Sequence, residues 1–98
     1  MPNYILAALG SVLTLLRVTF EFADDEPRWT QVAGIIRRQI ESGELRPGDK
    51  IPSVVRLQET YGISTSTGQK VHRALRSEGL IRTQSGMGSY VKRPDPSG

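Results

Sequence analysis

Three amphipathic helical stretches followed by a glycine-tipped hairpin place this sequence in the mainly α class with a small β wing. Three observations carry the assignment. Apolar residues recur at three- and four-residue steps from Trp29 to Ile40, the period of a helix with one buried face. Tyr61–Leu75, YGISTSTGQKVHRAL, reads as one helix stopping at Gly62 and another opening at once behind Ser64. Two short β-prone runs, Ile81–Thr83 and Ser89–Val91, flank Gln84-Ser85-Gly86-Met87-Gly88, whose glycines permit a tight hairpin tip.

Ninety-eight residues suffice for one small domain. Cysteine is absent and histidine occurs once, so disulfides, thiolate metal sites and His-based metal centres are excluded, and a reducing, cytoplasmic setting fits. No nucleophile–base pair or cofactor loop stands out, so neither an enzyme nor a cofactor is expected. The net charge of +3 is unevenly spread: Pro27 to Arg93 holds twelve Lys/Arg against five Asp/Glu, while Glu21, Asp24, Asp25 and Glu26 lie just before it. A small basic domain behind an acidic preface suits a nucleic-acid surface better than an acidic-substrate site.

Residues 1–26 form an apolar extension and an acidic linker. Tyr4–Leu16 is thirteen residues without a charge, too short to span a membrane comfortably, and it lacks the basic start and small-residue cleavage site of a secretory signal. Leu16, Val18, Phe20 and Phe22 then alternate with Arg17, Thr19 and Glu21, which predicts a half-buried strand over Leu15–Phe22. So much apolar surface requires cover, from the domain itself or from a second copy.

The domain proper is expected over residues 27–93. Pro27 suits the first turn of a helix, and the three preceding acids complement its positive end. Trp29, Val32, Ile36 and Ile40, with Ala33, make the inner stripe, and Gly43 is a natural left-handed stop. Pro47-Gly48 reverses the chain. Ser53 can cap a second helix with Val54, Leu57 and Tyr61 inside, closed by Gly62. Ile63 pins the turn, and Ser64 caps a third helix whose Val71 and Leu75 face inward. Glu78-Gly79 ends it, the hairpin follows, and residues 94–98 are a polar tail.

Two helices joined so tightly, the second polar and basic, followed by a hairpin, make a winged helix-turn-helix. The third helix would then be a recognition helix, its amino-terminal residues meeting base edges in the major groove of double-stranded DNA. Ser66, Thr67, Gln69 and Lys70 are the base-facing candidates, with Thr65 beside them. Short hydroxyls permit close approach, and a glutamine can pair with adenine. Arg56, Arg73, Arg82 and the tip Gln84, Ser85, Gly86, Met87 and Gly88 are placed to hold backbone, and the capping Ser53 and Ser64 complete the candidate DNA-binding set. A protein-interaction module of the same fold, without sequence-specific DNA reading, is the alternative.

The four blocks IESGELRPGDKIPS (Ile40–Ser53), YGISTST (Tyr61–Thr67), LRSEGLI (Leu75–Ile81) and GMGSYV (Gly86–Val91), in this order and spacing, resemble the winged-helix domain of the GntR family of bacterial transcription regulators. The resemblance runs from about Pro27 to Val91. It implies a dimer on a palindromic operator, usually repressing nearby genes, with effector binding in a further carboxy-terminal domain. No small-molecule effector is therefore assigned to this chain. The apolar extension becomes a candidate dimer contact. The resemblance also exposes departures. Family members often carry arginine at the positions of Val55 and Thr65 and a basic residue at Gln69, so the family's base contacts do not carry over to these side chains. Gly68 and His72 stand where apolar residues are usual. A glycine there costs the helix ~1 kcal/mol against alanine and leaves Ile63 without a staple partner; His72 is read as a partly buried packing residue.

Overall fold

The computed structural model describes residues 21–93. Three helices are followed by a hairpin: α1 (Arg28–Ser42), α2 (Val54–Tyr61), α3 (Thr65–Ser77), β1 (Ile81–Gln84) and β2 (Gly88–Val91). Most of the strand expected over Leu15–Phe22 lies outside the described residues, as does the polar tail. Glu21 and Phe22, the end of that stretch, are not in a strand. Phe22 packs against the core and carries the Arg28 guanidinium over its ring, 4.9 Å from the centroid.

Each helix boundary has a local cause. Pro27 stands at the amino-terminal cap of α1, with extended ψ of 144°, one position before the first helical residue instead of inside the first turn. Its side chain offers no capping oxygen, and Gln31 organises this end instead. The Gln31 amide accepts from the Ala23 N–H (2.9 Å) and donates to the Ala23 and Glu26 carbonyls (3.0 and 2.9 Å). Ser53 and Ser64 cap α2 and α3, accepting the Arg56 and Thr67 N–H groups at 3.1 Å. Gly43 and Gly62 close α1 and α2 in the left-handed conformation at φ 86° and 67°, which glycine adopts without a Cβ penalty.

The core gathers Val32, Ala33 and Ile36 of α1, Leu57 of α2, Val71 and Leu75 of α3, and Ile51, Ile63, Ile81 and Val91 between and beyond them. Trp29, Ile40 and Tyr61 pack on it half-buried, as edges of the stripes read in the sequence. Val54, expected inside, is also half-buried: it faces α3 across a seam instead of entering the centre. Ile63 is 6% exposed and holds the turn between α2 and α3 in the core.

The strands are one residue longer each than the sequence suggested, because Gln84 pairs with Gly88 as well as Thr83 with Ser89, leaving Ser85–Met87 as the tip. β2 also has a neighbour on its other side. Gly48 N–H donates to the Val91 carbonyl (2.9 Å), Val91 N–H to Asp49 (2.8 Å) and Ile51 N–H to Ser89 (2.9 Å), with an antiparallel bridge between Lys50 and Tyr90. The Pro47-Gly48 turn thus serves as a third, partial strand against the wing.

Candidate nucleic-acid interface

The start of α3 is built around Ser64. Its hydroxyl accepts the Thr67 N–H, donates to Thr67 Oγ1 at 2.9 Å and lies 3.2 Å from Ser66 Oγ. Thr65 Oγ1 accepts from Gln58 Nε2 at 3.0 Å, which ties the outer face of α2 to the first turn of α3. Ser53, Arg56, Ser64, Thr65 and Ser66 are exposed, and Thr67 is half-buried. The capping oxygens of Ser53 and Ser64 and the Thr65 oxygen are already hydrogen-bonded within the protein.

Gln69, Lys70 and Arg73 are exposed, and no hydrogen bond or ion pair among the described residues uses their side chains. They form the crest of α3 between two grooves. One groove, of about 370 Å³, runs between α3 and the wing and is lined by Gln69, His72, Arg73, Arg76, Thr83 and Ser89, with Val54 at its end. The other, of about 360 Å³, lies between α3 and the start of α1 and is lined by Trp29, Lys70, Arg73, Ala74 and Ser77. Arg73 borders both.

Gly68 is buried one step behind the crest. A Cβ there would stand 2.9 Å from Val54 Cγ1, closer than carbon atoms pack, so the glycine lets α2 approach α3. The residue that costs helix propensity supplies close helix packing in return.

His72 joins the crest to the wing. Its Nε2 lies 2.8 Å from the Pro52 carbonyl, which can only accept, so Nε2 carries the proton. Nδ1 of the neutral ring is then an acceptor for Ser89 Oγ at 3.4 Å. Ser89 Oγ lies 3.0 Å from Thr83 Oγ1, its opposite number across the hairpin, and Thr83 Oγ1 accepts from Arg76 Nη1 at 2.6 Å. One consistent orientation runs through all four bonds: Arg76 to Thr83, Thr83 to Ser89, Ser89 to His72, His72 to Pro52. Burial, more than the neighbouring Arg76 charge, pushes the His72 pKa below its ordinary 6.5, against the raising effect of the Pro52 carbonyl. His72 therefore does more than pack.

The wing tip is clipped from within. Met87 N–H donates to the Gln84 carbonyl (2.9 Å) and the Tyr90 hydroxyl to the Met87 carbonyl (3.0 Å). Arg82 Nη1 reaches Gln84 Oε1 at 3.5 Å along the same face. Gly86 and Gly88 have φ of 75° and 108°. Ser85, Gly86 and Met87 are exposed, Met87 to 55%. A Cβ on Gly88 would meet Lys50 Cε at 2.7 Å, so the Lys50 stem lies across the wing and adds a cation beside its tip. Lys50 and Arg76 were not among the residues expected at this surface. Lys50 comes from a turn 38 residues before Gly88, and its place beside the wing follows from the bridge to Tyr90 and the contact at Gly88. Among the described residues no cluster of three or more His, Cys, Asp or Glu is placed to hold a metal ion, and no helix is long and apolar enough to cross a membrane.

Residues 29–91 match the family described as bacterial regulatory proteins, gntR family. The chain is 39% identical over 67 residues to the mannosyl-D-glycerate transport/metabolism system repressor MngR of Escherichia coli, a match covering 68% of this chain and 28% of MngR. It is 34% identical over 68 residues to the transcriptional repressor NagR of Bacillus subtilis, covering 69% and 28%. The chain thus spans less than a third of either relative. Among solved structures, YtrA from Sulfolobus acidocaldarius, a GntR-family transcription factor, superposes with a TM-score of 0.71 at 32% identity, covering 81% of this chain and 83% of that one. The DNA-binding domain of AraR in complex with operator ORX1 superposes with a TM-score of 0.67 at 28% identity, covering 74% and 93%.

Proposed function

Since the chain belongs to the gntR family of bacterial regulatory proteins, and so to DNA-binding transcription regulators and not to enzymes, we propose that it represses transcription by binding a palindromic operator in duplex DNA as a dimer. One observation supports the reading above the others: Gln69, Lys70 and Arg73 stand exposed and unengaged on α3, beside a wing whose tip is already ordered. Repression is the role named for MngR and NagR, and an operator is the ligand in the AraR complex.

Roles divide along the crest. Gln69 reads a base edge, as a paired donor and acceptor fits adenine. Ser66 and Thr67 fill the approach beside it. Lys70, beside Gln69, also faces the bases, while Arg73, Arg56 and Arg82, with the tip at Gln84–Gly88, hold phosphate and the flanking groove, and Lys50 and Arg76 extend this cationic surface. Ser53, Ser64 and Thr65 act through their intramolecular bonds, fixing the helix starts.

Selection of bound sites from a random duplex pool tests the reading directly, and a palindromic consensus is the expected result. Gln69→Ala should change the selected sequence, with a loss of about 1–3 kcal/mol on the parent site. Arg73→Ala should weaken binding to all duplexes alike and lower the slope of log K against log salt by about one. Equal effects of both substitutions on selected and random DNA would overturn this division. Sedimentation of the protein on the selected duplex reads the stoichiometry, where two chains per site are expected.

A further inference from the structure

Val55 is 64% exposed, and it and Met87 are the exposed large hydrophobic residues among those described. It stands in the first turn of α2, a β-branched apolar side chain turned largely to water. Three observations fix which surface it joins. Leu57 is buried, Val54 faces Gly68 across the helix seam, and Gln58 reaches Thr65 at the start of α3. Residues three apart on a helix share a face, so Val55 lies one turn behind Gln58, at the exposed edge of the seam with α3. On α3 the corresponding row continues from Thr65 to Gln69 by a step of four. Val55, Thr65 and Gln69 therefore line one surface.

That surface is unusual in its chemistry for a reader of DNA. It offers methyl groups, hydroxyls and an amide, and its cations flank it, Arg56 beyond Val55 on α2 and Lys70 and Arg73 beyond Gln69 on α3. Guanine is read most often by arginine or lysine, whereas a glutamine amide matches adenine, and the major groove holds one apolar group, the 5-methyl of thymine. An A·T pair presents both features together.

From this placement we infer that the core of the bound half-site is A·T, with Gln69 on an adenine and Val55 against a thymine 5-methyl of the same or the adjoining pair. The inference rests on the DNA-reading role proposed above and assigns Val55 as a specificity-determining residue.

Deoxyuridine substitution removes that methyl group and nothing else. Each thymine of a site selected from the random pool is replaced in turn by deoxyuridine, and the affinity is measured for the full chain and for two variants. The full chain should lose about fourfold at one thymine position per half-site, the change expected for one methyl group withdrawn from apolar contact. Val55→Ala should bind the thymine and deoxyuridine duplexes alike at that position, and Val55→Ile should keep the sensitivity. Because the side chain is exposed, both variants should melt like the parent. Sensitivity that persists in Val55→Ala would overturn the inference, as would indifference of the full chain to every deoxyuridine. A selected core of G·C pairs would overturn it too while leaving sequence-specific DNA binding intact. Failure to select any site would remove the DNA-reading role as well, so the two failures are distinct.

Discussion

Replacing Gly68 by alanine sets two terms of known sign against each other. In the interior of a helix, alanine is favoured over glycine by ~1 kcal/mol. The new Cβ, however, would stand 2.9 Å from Val54 Cγ1. Val54 cannot readily swing aside, because a β-branched residue in a helix has one strongly preferred χ1. Overpacking of this kind costs about 1–3 kcal/mol. The net expectation for Gly68→Ala is a loss of between roughly 0 and 2 kcal/mol from these two terms. The other two neighbours of that Cβ, the Val54 carbonyl oxygen at 3.6 Å and Cα at 3.7 Å, are at ordinary contact distance. With Val54→Ala as background the obstructing atom is gone, and the same Gly68→Ala change should stabilise by ~1 kcal/mol. The sign of one substitution thus reverses with the identity of its neighbour. Thermal denaturation of the four proteins of this cycle reads the effect, since 1 kcal/mol moves the midpoint of a domain this size by about 4–8 °C. If Gly68→Ala raised stability equally in both backgrounds, the glycine would not be there for close packing.

His72 and the Arg37–Glu78 pair supply two further expectations. Burial holds His72 neutral in the folded state, with its pKa below the ordinary 6.5. Its contribution is complete above pH 6.5 and is lost as pH falls from there through the lower folded value, because the unfolded chain then binds a proton that the folded chain does not. Since His72 is the one histidine of the chain, the urea midpoint should drop between pH 7.5 and 5.5, and His72→Phe should abolish that drop; an unchanged slope would refute the assignment. Arg37 donates two bonds of 2.7 Å to the Glu78 carboxylate, joining α1 to the end of α3, with about a third of each side chain exposed. The Arg37 hydrogen bond lowers the Glu78 pKa below 4.5, so the pair contributes above that pH and fades as the carboxylate takes up its proton. Solvent screening limits it to less than about 1 kcal/mol. A double-mutant cycle with Arg37→Gln and Glu78→Gln should give that coupling at low salt and almost none at 1 M salt; a large, salt-independent coupling would contradict it.

What was legible in the sequence is what local chemistry decides. Ser53 and Ser64 are capping hydroxyls wherever a helix follows, Gly43 and Gly62 are left-handed stops, and the stripe from Trp29 to Ile40 must face a core. These settled the helix order and placed the tight turn before α3. The misreadings have non-local causes. Gly68 looked only like a cost, because its benefit belongs to Val54, fourteen residues earlier and in another helix. His72 is half-buried as expected, but its hydrogen bonds went unread, because its partners Pro52 and Ser89 are set by the loop before α2 and by the hairpin register. Pro27 was placed one residue too far inside α1, because proline suits the cap as well as the first turn, and the backbone of residues 23–26, held by Gln31, decides between them. For the interface, residue types on α3 marked the crest, while Lys50 and Arg76 could be found only once strand pairing and side-chain contacts were known.

The partial strand at residues 48–51 has a thermodynamic consequence for binding. A two-stranded hairpin alone is marginally stable in water, yet β2 is hydrogen-bonded on both sides and its tip is clipped by Tyr90. Ordering a free backbone costs ~1–2 kcal/mol per residue, so a wing whose three tip residues, Ser85 to Met87, were loose would forfeit roughly 3–6 kcal/mol on meeting any ligand. Here folding has already met that entropy, through the Gln84 and Tyr90 bonds that clip the tip and the residues 48–51 that brace β2 beneath it.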